Sequence, residues 1–194
     1  MFNLTQEQLE RNITAYYFLA TKKELANGCE WYRKAYWECA RLGAQYNVPV
    51  DTVIGIVAAL SPRNRWSRNL IDAEQILIHG ENATVSTFNT NKEKAVRILN
   101  GEAPLDVLSG NKVRSFYNCV SSPSCYCVCV DSHAYAVAAG FGERIKVKSN
   151  TITDKVYQAV TQAYQAVAEQ FNVLPLELQA TTWLTYRRVH KITV

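Results

Sequence analysis

The fold is decided in residues 52–66, which read TVIGIVAALSPRNRW. Because Thr52–Leu60 contains no charged residue, it predicts a helix that is buried on all sides, with Asp51 as its N-terminal cap. The next residues, Ser61-Pro62-Arg63-Asn64, force a turn, because a proline cannot continue a helix. The stretch therefore predicts a core helix that ends in a polar, basic turn.

Helical patterns also run through the rest of the chain. A cap at Asn3 or Thr5, glycines at 80 and 140, and a cap at Asp131 mark helix ends. The only alternating strip is Tyr126–Val130, so we predict an all-α protein, built as one globular domain (residues 1–194) or as two helical lobes. The other predicted helices are Gln6–Leu19, Lys22–Gln45, Arg65–His79, Asn91–Leu99, Val113–Cys119, Asp131–Ala139, about Thr153–Phe171 and Pro175–His190. Lys22–Gln45 carries an aromatic stripe that is typical of a core face, comprising Trp31, Tyr32, Tyr36 and Trp37 with Cys39.

Composition excludes several classes of protein. Of the 194 residues, 48% are apolar and 20% are charged, which suits a globular core and excludes collagen, disordered and membrane-spanning chains. Met1-Phe2-Asn3 leads directly into polar sequence without the pattern of a secretory signal, so we expect a cytoplasmic protein. A net charge of +4 permits a nucleic-acid partner without requiring one.

The pattern of cysteines favours a packing role over a metal site. Reduced thiols are expected in a chain without a secretory signal. The run Cys125-Tyr126-Cys127-Val128-Cys129 lacks the spacing that zinc and iron–sulfur sites usually need, and a buried extended strip explains it better than a metal site. The six cysteines are Cys29, Cys39, Cys119, Cys125, Cys127 and Cys129.

Three features follow one another along the chain. The first is the basic turn after Leu60. The second is LSGNKV, residues 108–113, in which a glycine turn places Lys112 in the first turn of a short helix. The third is VCVDSH, residues 128–133, an apolar run that ends in Asp131.

In these three features the chain resembles the helix-hairpin-helix (HhH-GPD) DNA glycosylase superfamily. Leu60-Ser61-Pro62 is similar to a Leu-Ser-Gln turn of that family, and residues 108–112 loosely match its Leu-Pro-Gly-Val-Gly-x-Lys hairpin with Gly110 as the only glycine. Val130-Asp131-Ser132-His133 matches its Val-Asp-x-His segment closely. The resemblance covers about residues 52–140, with residues 1–51 and 141–194 as flanking helices, and it implies a two-lobed helical glycosylase-like fold.

The resemblance also implies an activity. Asp131 would be the catalytic carboxylate that stabilises positive charge on the sugar when a damaged or modified base leaves DNA. Lys112 would be the nucleophile of a linked lyase reaction. The C-terminal four-cysteine cluster of some members is missing, so no cofactor or metal is expected.

Duplex DNA with a flipped base is the implied partner, and no membrane is expected. The residues expected to bind nucleic acid are Ser61, Arg63, Asn64, Arg65, Trp66, Asn69, Gly110, Asn111, Arg114 and His133. The candidates for stacking on the flipped base are Trp31, Tyr32 and Phe116, together with Trp66.

Each of these residues also has a structural interpretation. Asp131 is equally an ordinary helix cap, Lys112 a solvated lysine, and His133 a structural hydrogen-bonding residue. The arginines at 63, 65 and 68 could form a solvated face. The last helix is expected to pack against the core through Trp183, Tyr186 and His190, with Arg187 and Arg188 pointing outward. Two other functions therefore stay open: a non-catalytic DNA-binding module of the same fold, or an enzyme that acts on modified nucleotides.

Overall fold

The computed structural model describes residues 4–140 and 152–192, and these residues contain ten α-helices, one short 3₁₀-helix (Gly80–Asn82) and no β-strand. None of these helices is long and apolar enough to cross a membrane. The α-helices are α1 Gln6–Phe18, α2 Lys22–Tyr46, α3 Val50–Leu60, α4 Trp66–His79, α5 Asn89–Leu99, α6 Pro104–Val107, α7 Asn111–Ser121, α8 Ser132–Ala139, α9 Asp154–Gln170 and α10 Pro175–Val189.

The all-α prediction is confirmed, and so are several predicted helix ends. The side chains of Thr5, Asp131 and Thr153 cap α1, α8 and α9, and Gly140 ends α8 in the left-handed conformation. Three details differ from the prediction. Asp51 does not cap α3, because the helix already begins at Val50 after Pro49; α6 was not predicted; and Tyr126–Val130 forms no strand.

The chain divides into two compact units. The described residues of Met1–Tyr32 and Pro123–Val194 form the first unit, and Arg33–Ser122 forms the second. The division falls inside α2 and again just after α7. The segment that carries the three features, residues 52–140, therefore contributes to both units.

The second unit is built around α3, as the uncharged sequence predicts. Residues 53–60 are all buried, and α4, α5, α6 and α7 pack against this helix. Gly55 allows α6 to approach closely, because a Cβ there would lie 2.9 Å from the ring of Pro104. Asn69 of α4 donates a hydrogen bond to the carbonyl of Val57 (2.9 Å), so α4 is also joined to α3 through a polar contact.

The first unit is assembled from α1, α8, α9 and α10. The small residues of α8 are buried among the other three helices, where Tyr164 donates to the carbonyl of Ala134 (3.3 Å). Burial raises the pKa of the Tyr164 hydroxyl, so the group stays a neutral donor. At the end of α8, Asn12 donates to the carbonyl of Ala138 (2.9 Å) and ties α1 to this helix.

The aromatic stripe of α2 belongs only partly to the core. Tyr32 and Cys39 are buried, whereas Trp37 is 69% exposed and does not pack as predicted. Trp37 is one helical position past Tyr36, which turns its ring toward solvent.

The cysteines also need one correction. Cys125 and Cys127 form a disulfide, with Cα atoms 5.4 Å apart, instead of two reduced thiols. The chain bends at Cys125 and Tyr126, and this bend brings the two Cα atoms to a distance that a disulfide can bridge. Within the run, the packing interpretation is confirmed for Cys129, which is buried. Cys39 and Cys119 are buried as well, and burial raises the pKa of the Cys39 thiol to about 12.

Candidate functional site

The first candidate residue, Asp131, lies at the N-cap of α8. Its Oδ1 accepts hydrogen bonds from the backbone amides of His133 (3.0 Å) and Ala134 (2.8 Å), so the carboxylate meets the positive end of the helix. The segment before it is fixed by the Tyr157 hydroxyl, which accepts from the amide of Val130 (3.1 Å). Local sequence and a buried tyrosine therefore set the backbone position of Asp131.

The second oxygen of Asp131 is held by a residue that is distant in sequence. The indole Nε1 of Trp183, on α10, donates to Oδ2 at 3.0 Å, and Nδ1 of His133 lies 3.9 Å from the same oxygen. The Asp131 side chain remains 23% exposed. Three N–H donors thus orient the carboxylate while part of it stays open to a reactant.

Arg187 completes this group of side chains. Its guanidinium lies 4.3 Å from the ring centroid of Trp183, one helical turn earlier on α10. Burial lowers the pKa of Arg187, and the attraction of the Asp131 carboxylate opposes this shift. We call Asp131, His133, Trp183 and Arg187 the Asp131 cluster. It combines one oriented carboxylate with a guanidinium, an imidazole and an indole.

An aromatic network supports the cluster from one side. The ring of His133 lies 5.6 Å from that of Tyr186, and Tyr186 lies 4.4 Å from His190. The Nε2 atom of His190 is 2.8 Å from the hydroxyl of Tyr16 on α1. The packing role predicted for Tyr186 and His190 is therefore confirmed.

The second candidate residue, Lys112, belongs to the second unit. It is half-buried in the first turn of α7, after Gly110 at φ 82°, as the glycine turn predicts. The turn is fixed by Arg114, whose Nη1 donates to the carbonyls of Leu105 (2.5 Å) and Leu108 (3.0 Å). Arg114 thus holds its own hairpin together, and its guanidinium is engaged there.

The basic turn after α3 is held by hydrogen bonds to residues of the neighbouring helices α2, α3 and α4. Ser61 donates to the carbonyl of Ala58 (2.9 Å), Asn64 donates to Asp72 (2.9 Å), and the indole of Trp66 donates to Glu38 (2.6 Å). Arg63 and Arg65 remain exposed. Of the residues expected to bind nucleic acid in this turn, these two arginines present their side chains to solvent.

The four stacking candidates lie in different surroundings. Trp66 and Phe116 pack edge to face in the second unit, with ring centroids 6.3 Å apart. In the first unit, Trp31 packs edge to face on Tyr32 at 4.8 Å. Tyr32 is only 3% exposed and donates to Gln179 (2.8 Å), so its ring belongs to the core.

Two important residues were not selected from the sequence. Asp72 is fully buried, yet its i, i+4 spacing from Arg68 resembles an ordinary surface ion pair. The sequence predicts only a packing role for Trp183, because its partner Asp131 is 52 positions away and no local pattern links them. The i, i+4 spacing of Trp183 and Arg187 was the one available signal.

Comparison with known proteins identifies a family but no activity. Residues 2–190 match a family described as a family of unknown function (DUF7178). No curated protein and no solved structure shows significant similarity to the chain.

Proposed function

The chain belongs to the DUF7178 family, whose function is unknown, and from the Asp131 cluster we propose that the protein is a DNA N-glycosylase. It would remove a damaged or modified base by cleaving the bond between the base and C1′ of the sugar. The observation that carries the proposal is the partly exposed carboxylate of Asp131, oriented by two backbone amides and one indole N–H.

The chemistry of this cleavage requires a fixed anion. As the base departs, positive charge develops on the sugar, and a carboxylate beside C1′ stabilises that charge. Hydrogen bonds from N–H groups fix the direction of a carboxylate before the reaction begins. The same carboxylate can accept a proton from the attacking water or amine.

In this proposal a water molecule attacks C1′ while the bond from C1′ to the base breaks. Asp131 accepts the proton that the water gives up, the departing base takes up one proton, and the products are the free base and an abasic site. The resemblance also implies a lyase role for Lys112, in which an amine bonds to C1′ and loses a proton as the sugar ring opens to give a Schiff base.

The proposal is tested by base release from duplexes that carry uracil, 8-oxoguanine, thymine glycol or a hypermodified thymine. Asp131→Asn is the informative variant, because asparagine caps helices as well as aspartate and can accept both backbone hydrogen bonds. It removes the charge and leaves the fold in place. We expect release to fall by about 10² or more in this variant.

A second measurement defines the role of Lys112. Borohydride reduces a Schiff base to a stable amine, so a covalent protein–DNA band that forms with wild type and not with Lys112→Gln would assign the attack to Lys112. Base release without a trapped band would assign the attack to water. Asp131→Asn with unchanged release would refute the glycosylase. DNA binding without any base release would favour the non-catalytic module, and binding of free nucleotides alone would favour the nucleotide enzyme.

A further inference from the structure

The second unit exposes a stacked pair of side chains that its core does not need. The guanidinium of Arg63 lies 5.7 Å from the ring centroid of Phe88, Phe88 is 55% exposed, and Arg63 is exposed as well. Arg63 lies in the turn after α3, and Phe88 immediately precedes α5. We call these two residues the Arg63–Phe88 pair.

One buried carboxylate fixes the two loops that carry the pair. Asp72 is 0% exposed; its Oδ2 accepts from the side chain of Asn64 (2.9 Å) and from the backbone amide of Ser86 (3.0 Å). Ser86 also donates its hydroxyl to Oδ1 (3.2 Å). Asn64 directly follows Arg63, and Ser86 lies two residues before Phe88. Both members of the pair are thereby held on a rigid support.

The pair occupies backbone positions that favour other residues. Arg63 has φ 58°, a left-handed conformation that residues other than glycine, asparagine and aspartate adopt rarely. Phe88 stands at the N-cap of α5 and makes no side-chain cap hydrogen bond, whereas serine, threonine, aspartate or asparagine would satisfy a free amide there. Locally unfavourable residues held in place by a buried anchor are typical of a binding surface.

We infer that the Arg63–Phe88 pair is a contact site for an unpaired stretch of nucleic acid. The face of Phe88 stacks on a base, and the guanidinium of Arg63 binds the adjoining phosphate. The exposed side chain of Arg65 adds positive charge to the same turn. Stacking on an exposed ring requires a base that is not inside a duplex, so a single strand is the preferred form. The inference goes beyond the proposed function, because it assigns a separate contact with a single strand, and it does not depend on base cleavage.

The test measures binding of the full chain by fluorescence anisotropy. The two ligands are a fluorescent oligothymidine of about 20 nucleotides and a fluorescent hairpin duplex. We expect the single strand to bind more tightly. Phe88→Ala should weaken its binding by about 5- to 100-fold, since each stacked base contributes strongly. Arg63→Gln should weaken binding and reduce the slope of log K against log salt by about 0.7.

Matched variants control for general surface effects. Trp37→Ala removes another exposed aromatic ring of the second unit, and Arg41→Gln removes another exposed cation; both should bind like wild type. Phe88→Leu keeps an apolar side chain without a π-face and should lose as much affinity as Phe88→Ala. Thermal melts confirm that each variant is folded.

Three results would overturn the inference. The first is a wild-type chain that does not bind the oligothymidine. The second is a Phe88→Ala variant whose affinity is within twofold of wild type. The third is a Trp37→Ala variant that loses as much affinity as Phe88→Ala. Repeating the titration with Asp131→Asn separates the two proposals. Strand binding that persists there, with base release absent from wild type as well, would refute the glycosylase and leave the contact site standing.

Discussion

The contact between α2 and α10 in the first unit leads to a quantitative prediction for Gly28→Ala. Gly28 is buried, and a Cβ added there would lie 2.7 Å from both the Cα and the backbone nitrogen of Thr181. Non-bonded carbon atoms pack at about 3.5–4.0 Å. The two helices would therefore have to separate by about 1 Å, since backbone atoms cannot rotate away as a side chain can.

Two opposing free energies set the size of the effect. Overpacking of a well-packed interior costs about 1–3 kcal/mol, and a clash with backbone belongs at the upper end. Replacing glycine by alanine inside a helix contributes about 1 kcal/mol in the other direction. The net destabilisation is about 2 kcal/mol. For a chain of 194 residues this corresponds to a fall in Tm of about 4–8 °C.

Urea unfolding followed by circular dichroism measures this change. Ala26→Gly, at an exposed position of α2, reports the helix-propensity contribution on the same helix and should cost about 1 kcal/mol. Thr181→Ala should not rescue Gly28→Ala, because the backbone of residue 181 remains in place. Trp183 lies two residues after Thr181, so its indole resonance should also shift. A Gly28→Ala variant as stable as wild type would refute the close contact.

Three further perturbations test the polar contacts. Asp131→Ala removes the cap of α8 and the acceptor for the indole and should cost about 2–3 kcal/mol, whereas Asp131→Asn keeps the cap and should cost about 1 kcal/mol; equal losses in urea titrations would contradict the capping geometry. For Glu24, burial raises the pKa, but hydrogen bonds from Arg188 and Thr21 outweigh it and leave the pKa below its usual value. Its stabilisation is therefore present above the unfolded pKa and is lost as pH falls through the lower folded value. Glu24→Gln should cost about 0.5–1 kcal/mol at neutral pH, and the difference from wild type should vanish in strong acid; a difference constant with pH would refute the linkage. Asp72→Asn places an amide N–H against existing donors and should cost about 2–4 kcal/mol in the same assay, so a variant of wild-type stability would show that the buried carboxylate is not the anchor of its two loops.

Helix positions could be predicted because their signals are local. The uncharged run before Ser61 specifies the buried helix α3, and Asp131 and Gly140 mark the two ends of α8 through cap geometry that depends on adjacent residues. The short helix α6 is not predicted, because its local signal is too weak. Its four residues after Ala103 are too few to show a helical period.

The site could be predicted only where it depends on neighbours in sequence. The resemblance selected Asp131, but the contact that orients its outer oxygen comes from Trp183, through folding of the whole first unit. Likewise, the i, i+4 spacing of Arg68 and Asp72 indicates a helix-surface pair, and nothing in that spacing shows that Ser86 closes over the carboxylate. Burial of a charged group depends on tertiary packing, so a local sequence pattern cannot predict it.

The way the two units divide the chain has a consequence for synthesis on the ribosome. Arg33–Ser122 is one continuous stretch, so every helix that packs against α3 has been made once α7 emerges. The other unit joins α1 to α8, α9 and α10, and its first helix must wait for the last one. The residues of the second unit are therefore complete first, while α1 keeps an apolar face exposed until α8, α9 and α10 have been made. During that interval the apolar face of α1, with Leu9 and Ile13, is open to binding by a chaperone.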